Sequence, residues 1–193
     1  MTYASQAASA LPNYHTQPHA HVKALMHKYR KFKTSTVLII DLTKQTMHRY
    51  EKGKLVKTYK ISSSKFGIGN QAGSNKTPLG VHFIKQRFGD HAPLGTIFKA
   101  RRNTGKIATL ITDKSDAKAD YVTSRVMWLK GLEPGKNKGP GIDSYRRFIY
   151  IHGTAEEGKI GEPASHGCIR MYNKDVIEMY RHAPIGTLVN IIR

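Results

Sequence analysis

Cys168 is the single cysteine of this 193-residue chain, and it lies among residues that suit nucleophilic chemistry. A thiol is a poor nucleophile at neutral pH unless a neighbouring group lowers its pKa or takes its proton. Two histidines are placed to do so: His166 lies two residues before the cysteine, and His152 lies 16 residues before it in a His-Gly pair. This spacing indicates a cysteine nucleophile with a histidine base.

Residues beside Cys168 could stabilise an oxyanion or bind a substrate. Gly167 frees the backbone, so its N–H and that of Cys168 could converge on a developing oxyanion. Arg170 alternates with Cys168 and could hold a substrate carboxylate through a bidentate contact. We favour His152 over His166 as the general base, because we place it at the end of a predicted strand, where rigid structure positions it.

Other interpretations of these residues stay open at the level of spacing alone. A buried structural cysteine beside satisfied histidines would carry no chemistry. A zinc site built on His152, His166 and Cys168 would need a fourth ligand, which this segment lacks. Four more histidines lie near the N-terminus, irregularly spaced and without Cys or carboxylate partners: His15, His19, His21 and His27. We expect no metal at either place.

The stretch from His152 to Met171 resembles the signature of the L,D-transpeptidases with a YkuD-type catalytic domain. The shared features are a His-Gly pair, a loop, and Ser-His-Gly-Cys with a polar residue two positions beyond the cysteine. The run Thr77-Pro78-Leu79-Gly80 resembles the family's threonine-proline-x-glycine strand entry. The resemblance covers residues 36–193 and implies a mostly β fold, a YkuD-type β-sandwich of mixed sheets with a few short helices.

The resemblance also implies roles for single positions. Cys168 matches the nucleophile that takes the acyl group as a thioester, and His152 matches the general base. The residues that match the supporting positions of the nucleophile loop, the oxyanion site and the substrate contacts are Gly153, Ser165, His166, Gly167 and Arg170. Family members cleave the bond between diaminopimelate and D-alanine in peptidoglycan tetrapeptide stems. They pass the acyl group to an amine, which gives 3–3 cross-links or D-amino-acid exchange, or to water, and no cofactor is expected.

The charge of the chain indicates an anionic partner. Lys and Arg number 32 against 13 Asp and Glu, a net charge of +19. Nucleic acid, acidic lipid headgroups and an anionic cell-wall polymer would all fit this charge. The alternatives to an enzyme are a basic nucleic-acid-binding protein and a non-catalytic wall-binding module. The cations are spread along the chain rather than interleaved with aromatics, and the His152/Cys168 pair is intact. We therefore expect peptidoglycan stem peptides and anionic wall polymer as partners, and no specific nucleic acid.

The sequence gives only indirect information on where in the cell the protein acts. The apolar run at 37–40 is far too short to cross a bilayer, and a single cysteine allows no intramolecular disulfide. Residues 1–11 lack the basic start of a signal peptide. The resemblance nevertheless implies the periplasm or cell envelope.

The elements that must position these residues follow from periodicity. Residues 1–35 form an N-terminal extension with a predicted helix over 18–32, and residues 36–193 form the catalytic domain. The predicted strands are 37–41, 47–50, 55–62, 81–86, 109–112, 122–129, 147–152 and 188–192, and Asn173 caps a helix over 174–182. Two Gly-rich loops lie at 62–80 and 133–143, and one or both of them are expected to border the Cys168 cleft.

Overall fold

The computed structural model describes residues 10–193, which form ten strands and two α-helices. The strands are β1 (Thr36–Asp41), β2 (Thr46–Glu51), β3 (Lys54–Lys60), β4 (Gly80–Phe88), β5 (Thr96–Lys99), β6 (Arg102–Ile107), β7 (Val122–Gly131), β8 (Tyr150–Thr154), β9 (Ile169–Met171) and β10 (Leu188–Ile192). The α-helices are α1 (Pro18–Lys28) and α2 (Asn173–His182), and short 3₁₀ turns lie at Arg30–Phe32 and Glu157–Lys159.

The strands form one continuous curled sheet of mixed direction. Its order is β3-β2-β1-β10-β4-β7-β5-β6, and β8 pairs with β7 and β9. The β1–β10 and β8–β9 pairs are parallel, whereas the other pairs of named strands are antiparallel. The predicted mostly β class is confirmed, and the parallel β8–β9 pair is the part of the sheet that carries the site described below.

Both faces of β1 are buried, which explains its uninterrupted apolar run. Leu38 and Ile40 face the main core, which α2 closes with Val176 and Met179. The other face of β1 contacts the N-terminal segment, as described next. Fully burying one aliphatic side chain stabilises a fold by about 1.5–3 kcal/mol, so this double coverage makes β1 a major anchor of the sheet.

The N-terminal segment packs on the outer face of the sheet. Val22 and Leu25 of α1 are fully buried in a cluster with residues of β1, β2, β4 and β10. His21 donates from Nδ1 to the Pro12 carbonyl at 2.6 Å, and its Nε2 accepts from Asn190 Nδ2 of β10 at 2.9 Å. The histidine is therefore a structural link between α1 and the sheet. No group of three or more metal-ligand side chains occurs between residues 10 and 193.

Two strand predictions are wrong. Residues 109–112 form no strand, and the missed hairpin β5–β6 lies upstream of them. Its turn is made by Ala100 and Arg101, which both have positive φ (48° and 68°). Such a turn usually contains Asn-Gly or Asp-Gly, and because this one does not, the sequence gives no hairpin signal. Every residue of β6 is exposed, and its sequence therefore shows no apolar alternation.

The other error concerns the strand that carries His152. It begins at Tyr150 rather than at 147, because the chain turns through 143–148 and Phe148 has φ 57°. His152 therefore lies in the middle of β8 and not at its end. Asn173 is likewise not a cap: it is the first residue of α2, and its buried side chain binds other elements.

In the part of the chain that the structure describes, neither helix has the length and apolar character that spanning a membrane requires.

Candidate active site

The parallel register of β8 and β9 places Cys168 and His152 on one face of the sheet. His152 pairs with Arg170, and Ile151 pairs with Ile169. The two isoleucines point into the main core, so the residues that alternate with them point to the opposite face. Cys168 immediately precedes β9, and its Sγ accepts from the Tyr150 N–H at 3.3 Å. The strand register therefore places Cys168 and His152 on the sheet face opposite the main core.

The thiol of Cys168 is protonated at neutral pH in the resting protein. Burial is the main cause that raises its pKa to about 12, and the Asp120 carboxylate adds to this effect. The Tyr150 amide, Arg170 and Arg147 act in the opposite direction. The sulfur also donates to the Phe148 carbonyl at 3.3 Å. Attack by this sulfur therefore requires a base that takes its proton during the reaction.

His152 is a buried, neutral imidazole on the same sheet face as Cys168. Its side chain is buried, at 2% exposure, and Nδ1 lies 2.6 Å from the Gly153 carbonyl oxygen. Because a carbonyl only accepts, Nδ1 carries the hydrogen and the neutral ring presents its lone pair at Nε2. Burial lowers the pKa of His152 to about 4, against the opposing effect of Asp120. The ring is therefore neutral at pH 7.

Position 153, next to His152, is a glycine because a side chain would not fit there. A Cβ there would lie 2.5 Å from Asn173 Oδ1 and 2.8 Å from the Thr123 carbonyl oxygen. Asn173 uses that space: Oδ1 accepts from the Thr123 and Ser124 hydroxyls at 2.6 Å, and Nδ2 donates to the Thr154 carbonyl at 2.8 Å. The His-Gly pair and Asn173 together fix β8 against β7 and α2.

Ser165 and Gly167 shape the turn that carries Cys168. Ser165 Oγ donates to the Cys168 carbonyl at 2.6 Å and accepts from the Gly167 N–H at 3.3 Å. Gly167 has φ +124°, a conformation that favours glycine. Thr77 Oγ1 donates to the Gly167 carbonyl at 3.1 Å. The Gly167 N–H is directed at Ser165, so the geometry does not support its predicted use as an oxyanion donor.

Arg170 does not face a substrate carboxylate, contrary to the prediction. It is 1% exposed, with Nη2 2.6 Å from Asp120 Oδ1 and Nη1 2.7 Å from Glu156 Oε2. A buried guanidinium needs carboxylate partners, and this chain supplies both of them itself. Arg170 therefore anchors β9 to the loops that surround the site.

Asp120 is the site residue that the sequence analysis missed. Its Oδ2 lies 2.8 Å from His166 Nδ1, and its Oδ1 holds Arg170. Burial alone would raise its pKa, but Arg170, His152 and His166 outweigh burial and leave the pKa of Asp120 lowered. It belongs to no motif and stands in the loop that leads into β7, so only the tertiary structure brings it to the site.

His166 lies at the mouth of the site. Its side chain is 44% exposed, and its ring centroid is 5.6 Å from that of Phe66. It lines a cavity of about 270 Å³ with Asn75, Arg147 and Phe148. The two histidines of the motif therefore differ: His152 is buried and held by backbone, whereas His166 is exposed and held by a carboxylate.

The loop 62–80 borders the turn that carries Cys168, as predicted. The Lys65 N–H donates to the Ser165 carbonyl at 3.0 Å, and Thr77 binds Gly167 as described. Arg147 fastens this loop by donating to the carbonyl oxygens of Gly69 at 3.2 Å and Lys76 at 2.6 Å. The second loop, 133–143, contacts loop 62–80 through the Gly141 carbonyl, which accepts from the Ala72 N–H at 2.7 Å.

An aromatic cluster with one cation lies beside the thiol. Trp128 stacks on Tyr145 with ring centroids 4.0 Å apart, and Cys168 packs against this cluster. The Arg101 guanidinium lies 4.5 Å from the Trp128 ring, and Phe148 is 51% exposed. The surface around Cys168 thus offers apolar rings together with positive charge.

Comparison of this chain with known proteins identifies its family and several relatives. Residues 35–191 match the family model of YkuD, the L,D-transpeptidase catalytic domain. Over 63 residues the chain is 56% identical to the putative L,D-transpeptidase YkuD of Bacillus subtilis, covering 30% of this chain and 38% of that protein. Over 46 residues it is 41% identical to the probable L,D-transpeptidase YbiS of Escherichia coli K12, covering 24% and 15%. These matches span well under two thirds of either relative.

Solved structures share the fold. The L,D-transpeptidase from Mycobacterium smegmatis superposes with a TM-score of 0.53 at 15% identity, over 82% of this chain and 59% of that one. L,D-transpeptidase 3 from Mycobacterium tuberculosis, solved with a faropenem-derived adduct, gives 0.51 at 14% identity, over 82% and 60%.

Proposed function

Since the chain belongs to the L,D-transpeptidase family with a YkuD-type catalytic domain, we propose that it is a cysteine acyltransferase acting on peptidoglycan tetrapeptide stems. The observation that carries this proposal is the placement on one sheet face of a protonated thiol, Cys168, and a neutral imidazole, His152. The bond cleaved would join diaminopimelate to the terminal D-alanine. The acyl group then passes to an amine or to water.

The proposed first half-reaction uses both groups. As Sγ of Cys168 attacks the diaminopimelate carbonyl, its proton moves to Nε2 of His152, and a C–S bond forms. The tetrahedral species collapses with cleavage of the C–N bond. The departing amine of D-alanine takes the proton from His152, which leaves a thioester and a neutral imidazole. Transient charge on the imidazole would be stabilised by the nearby Asp120 carboxylate.

The surroundings of the site support an anionic substrate. Arg101, Arg146 and Arg147 lie around Phe148 and Cys168, and the whole chain carries a net charge of +19. Peptidoglycan stems carry free carboxylates, and anionic wall polymers would attract the same charge. We therefore also propose that the protein acts in the periplasm or cell envelope. We assign the catalytic domain to residues 36–193, with residues 1–35 as an extension.

The test measures release of D-alanine from a disaccharide-free tetrapeptide stem by the intact protein. We expect release and amine-dependent exchange in the wild type, and loss of both in Cys168→Ala and Cys168→Ser, because a serine hydroxyl is far less ionised than a thiol. A carbapenem should add its mass to the wild type and not to Cys168→Ala. Exchange that survives Cys168→Ser, or sacculus binding by the wild type without any release, would refute the proposal.

A further inference from the structure

The N-terminal part of the described structure, residues 10–34, is basic and has no acidic residue of its own. We call it the basic segment. No Asp or Glu occurs in the chain before Asp41, whereas the segment carries five cations: Lys23, Lys28, Arg30, Lys31 and Lys33. None of the five forms an ion pair with any residue from 10 to 193. The family match begins at residue 35, so the shared catalytic domain does not account for this charge.

Three lysines from separate parts of the chain line one cavity of about 460 Å³. Lys23 belongs to α1, Lys33 follows the short 3₁₀ turn after α1, and Lys52 lies in the turn between β2 and β3. All three are exposed, and no Asp or Glu of the described chain lines the cavity. Glu51, next to Lys52, lies 3.6 Å from Arg49 instead. Like charges around one cavity repel each other, so this arrangement favours a bound anion.

Backbone contacts join these parts of the chain, so the cavity is a feature of the fold. The Lys52 N–H donates to the Ser35 carbonyl at 2.8 Å, and Nδ1 of His19 in α1 lies 3.3 Å from the Gly53 carbonyl oxygen. Lys33 and Lys52 have positive φ, 47° and 50°, which Gly and Asn adopt at lower cost than Lys. The backbone therefore does not explain why lysine occupies either position.

The chemistry of the cavity suits a phosphate group. An ammonium is a compact point charge that binds phosphate, whereas bidentate recognition of a carboxylate is a property of arginine, and no arginine lines this cavity. Phosphate oxygens point in several directions, so they can accept from lysines that come from three parts of the chain. Ser35 also lines the cavity and adds a hydroxyl donor.

A second cavity indicates a ligand with more than one phosphate. It has a volume of about 440 Å³ and is formed by α1 and the residues before it, among them His27, Lys28 and Arg30. No Asp or Glu of residues 10–193 lines it either. Two cationic cavities on one short segment match an anion that repeats along a chain better than a single ion.

The packing of the segment argues against a bilayer and against nucleic acid. Val22 and Leu25 of α1 are buried against the sheet, so the helix has no apolar face left to insert into lipid. Tyr29 and Phe32 pack against the same cluster and are not free to stack on bases.

We propose that the basic segment binds a polymer with repeating phosphate groups, and that the cavity of Lys23, Lys33 and Lys52 holds one of these phosphates. The inference goes beyond the proposed function and does not depend on it. The segment packs on the sheet face opposite the main core, and Cys168 lies on that same face. A bound polymer would therefore be held on the same side of the sheet as the thiol.

The experiment measures binding of the intact protein to fluorescent poly(glycerol phosphate) over a series of salt concentrations. The test variant carries Lys23→Gln, Lys33→Gln and Lys52→Gln. The matched control carries Lys85→Gln, Lys106→Gln and Lys138→Gln, which removes the same charge from exposed lysines that line neither cavity. Polyglutamate, duplex DNA and vesicles of phosphatidylglycerol are the competing anions. All six substitutions are at exposed positions, so both variants should fold, as circular dichroism can verify.

We expect the test variant to bind about tenfold more weakly than the wild type at about 50 mM salt. The slope of log affinity against log salt should fall by about 2, because each phosphate contact of a flexible chain contributes about 0.7 to it. The control should lose less than about threefold in affinity, because its lysines act only through the net charge. The three competing anions should displace the phosphate polymer poorly.

An equal loss in the two variants would overturn the inference, because binding would then follow the net charge and not the cavity. So would unchanged binding in the test variant. Displacement by polyglutamate, by DNA or by vesicles at the same charge concentration as poly(glycerol phosphate) itself would refute the phosphate-polymer assignment. None of these results depends on release of D-alanine, so the inference and the proposed function can fail separately.

Discussion

Two buried histidines, on β4 and on β8, are alike in almost every property, but we propose a catalytic role for only one of them. His82 and His152 are both at or below 2% exposure, and burial lowers the pKa of each to about 4. Each donates from Nδ1 to a nearby backbone carbonyl, that of Gly80 at 2.9 Å and that of Gly153 at 2.6 Å. Burial and a low pKa therefore do not by themselves identify a catalytic base.

The difference lies at the second ring nitrogen. Nε2 of His82 accepts from the Ser144 hydroxyl at 2.9 Å, so both nitrogens of that ring are occupied. Nε2 of His152 makes no hydrogen bond to any residue from 10 to 193, and the Cys168 thiol lies on the same sheet face. A base needs an unoccupied nitrogen, and of these two histidines only the one on β8 has it, which is why we propose that role for His152.

The largest expected effect comes from exchanging the two histidines for glutamine. His152→Gln should lower the rate of D-alanine release by about 10²–10⁴-fold, because the thiol loses its general base. His82→Gln should keep most of the activity, since that ring takes no part in the reaction. Release rates at matched folded fractions check this. Comparable losses in the two variants would mean that the contrast drawn between the sites is wrong.

The next effect is on stability in acid. Both histidines have a pKa near 4 when folded and an ordinary value of 6.5, so the unfolded chain binds more protons between these values. Each ring therefore contributes stability above pH 6.5 that is lost as the pH falls toward 4, about 3 kcal/mol per histidine. Urea unfolding at pH 7, 6 and 5 should show this decline.

The same series with His82→Gln tests the assignment. The variant should lose roughly half of the decline between pH 7 and 5, because one of the two buried rings is gone. An unchanged slope would show that His82 does not titrate in this range.

The smallest effect concerns the hydroxyl that occupies His82. Ser144→Ala leaves Nε2 of His82 buried and unsatisfied, which should lower the free energy of unfolding by about 1–3 kcal/mol. It should not create a second active centre, since no thiol lies there. The control is Thr58→Ala, which removes a hydroxyl from the half-buried ring of His48. A loss in Thr58→Ala as large as in Ser144→Ala would contradict the role given to burial.

The local order of residues determined a large part of this protein. The Ser-His-Gly-Cys run with its upstream His-Gly predicted the family resemblance, which is confirmed. The apolar runs at 37–41 and 188–192 and the amphipathic stretch before Pro184 predicted β1, β10 and α2, because burial of a periodic face is a local property. Gly167 was expected to free the backbone before Cys168, and its φ of +124° agrees with that expectation.

Only the tertiary structure decided which charged side chains contact one another at the site. Asp120 reaches His166 and Arg170 through the path of a loop, and no periodicity or spacing encodes that approach. For the same reason Arg170 was expected to face substrate. The sequence shows its positive charge, but its carboxylate partners are distant in sequence, at 120 and 156. Pairing of charges depends on distances in space, and those are set by how the sheet curls around its core.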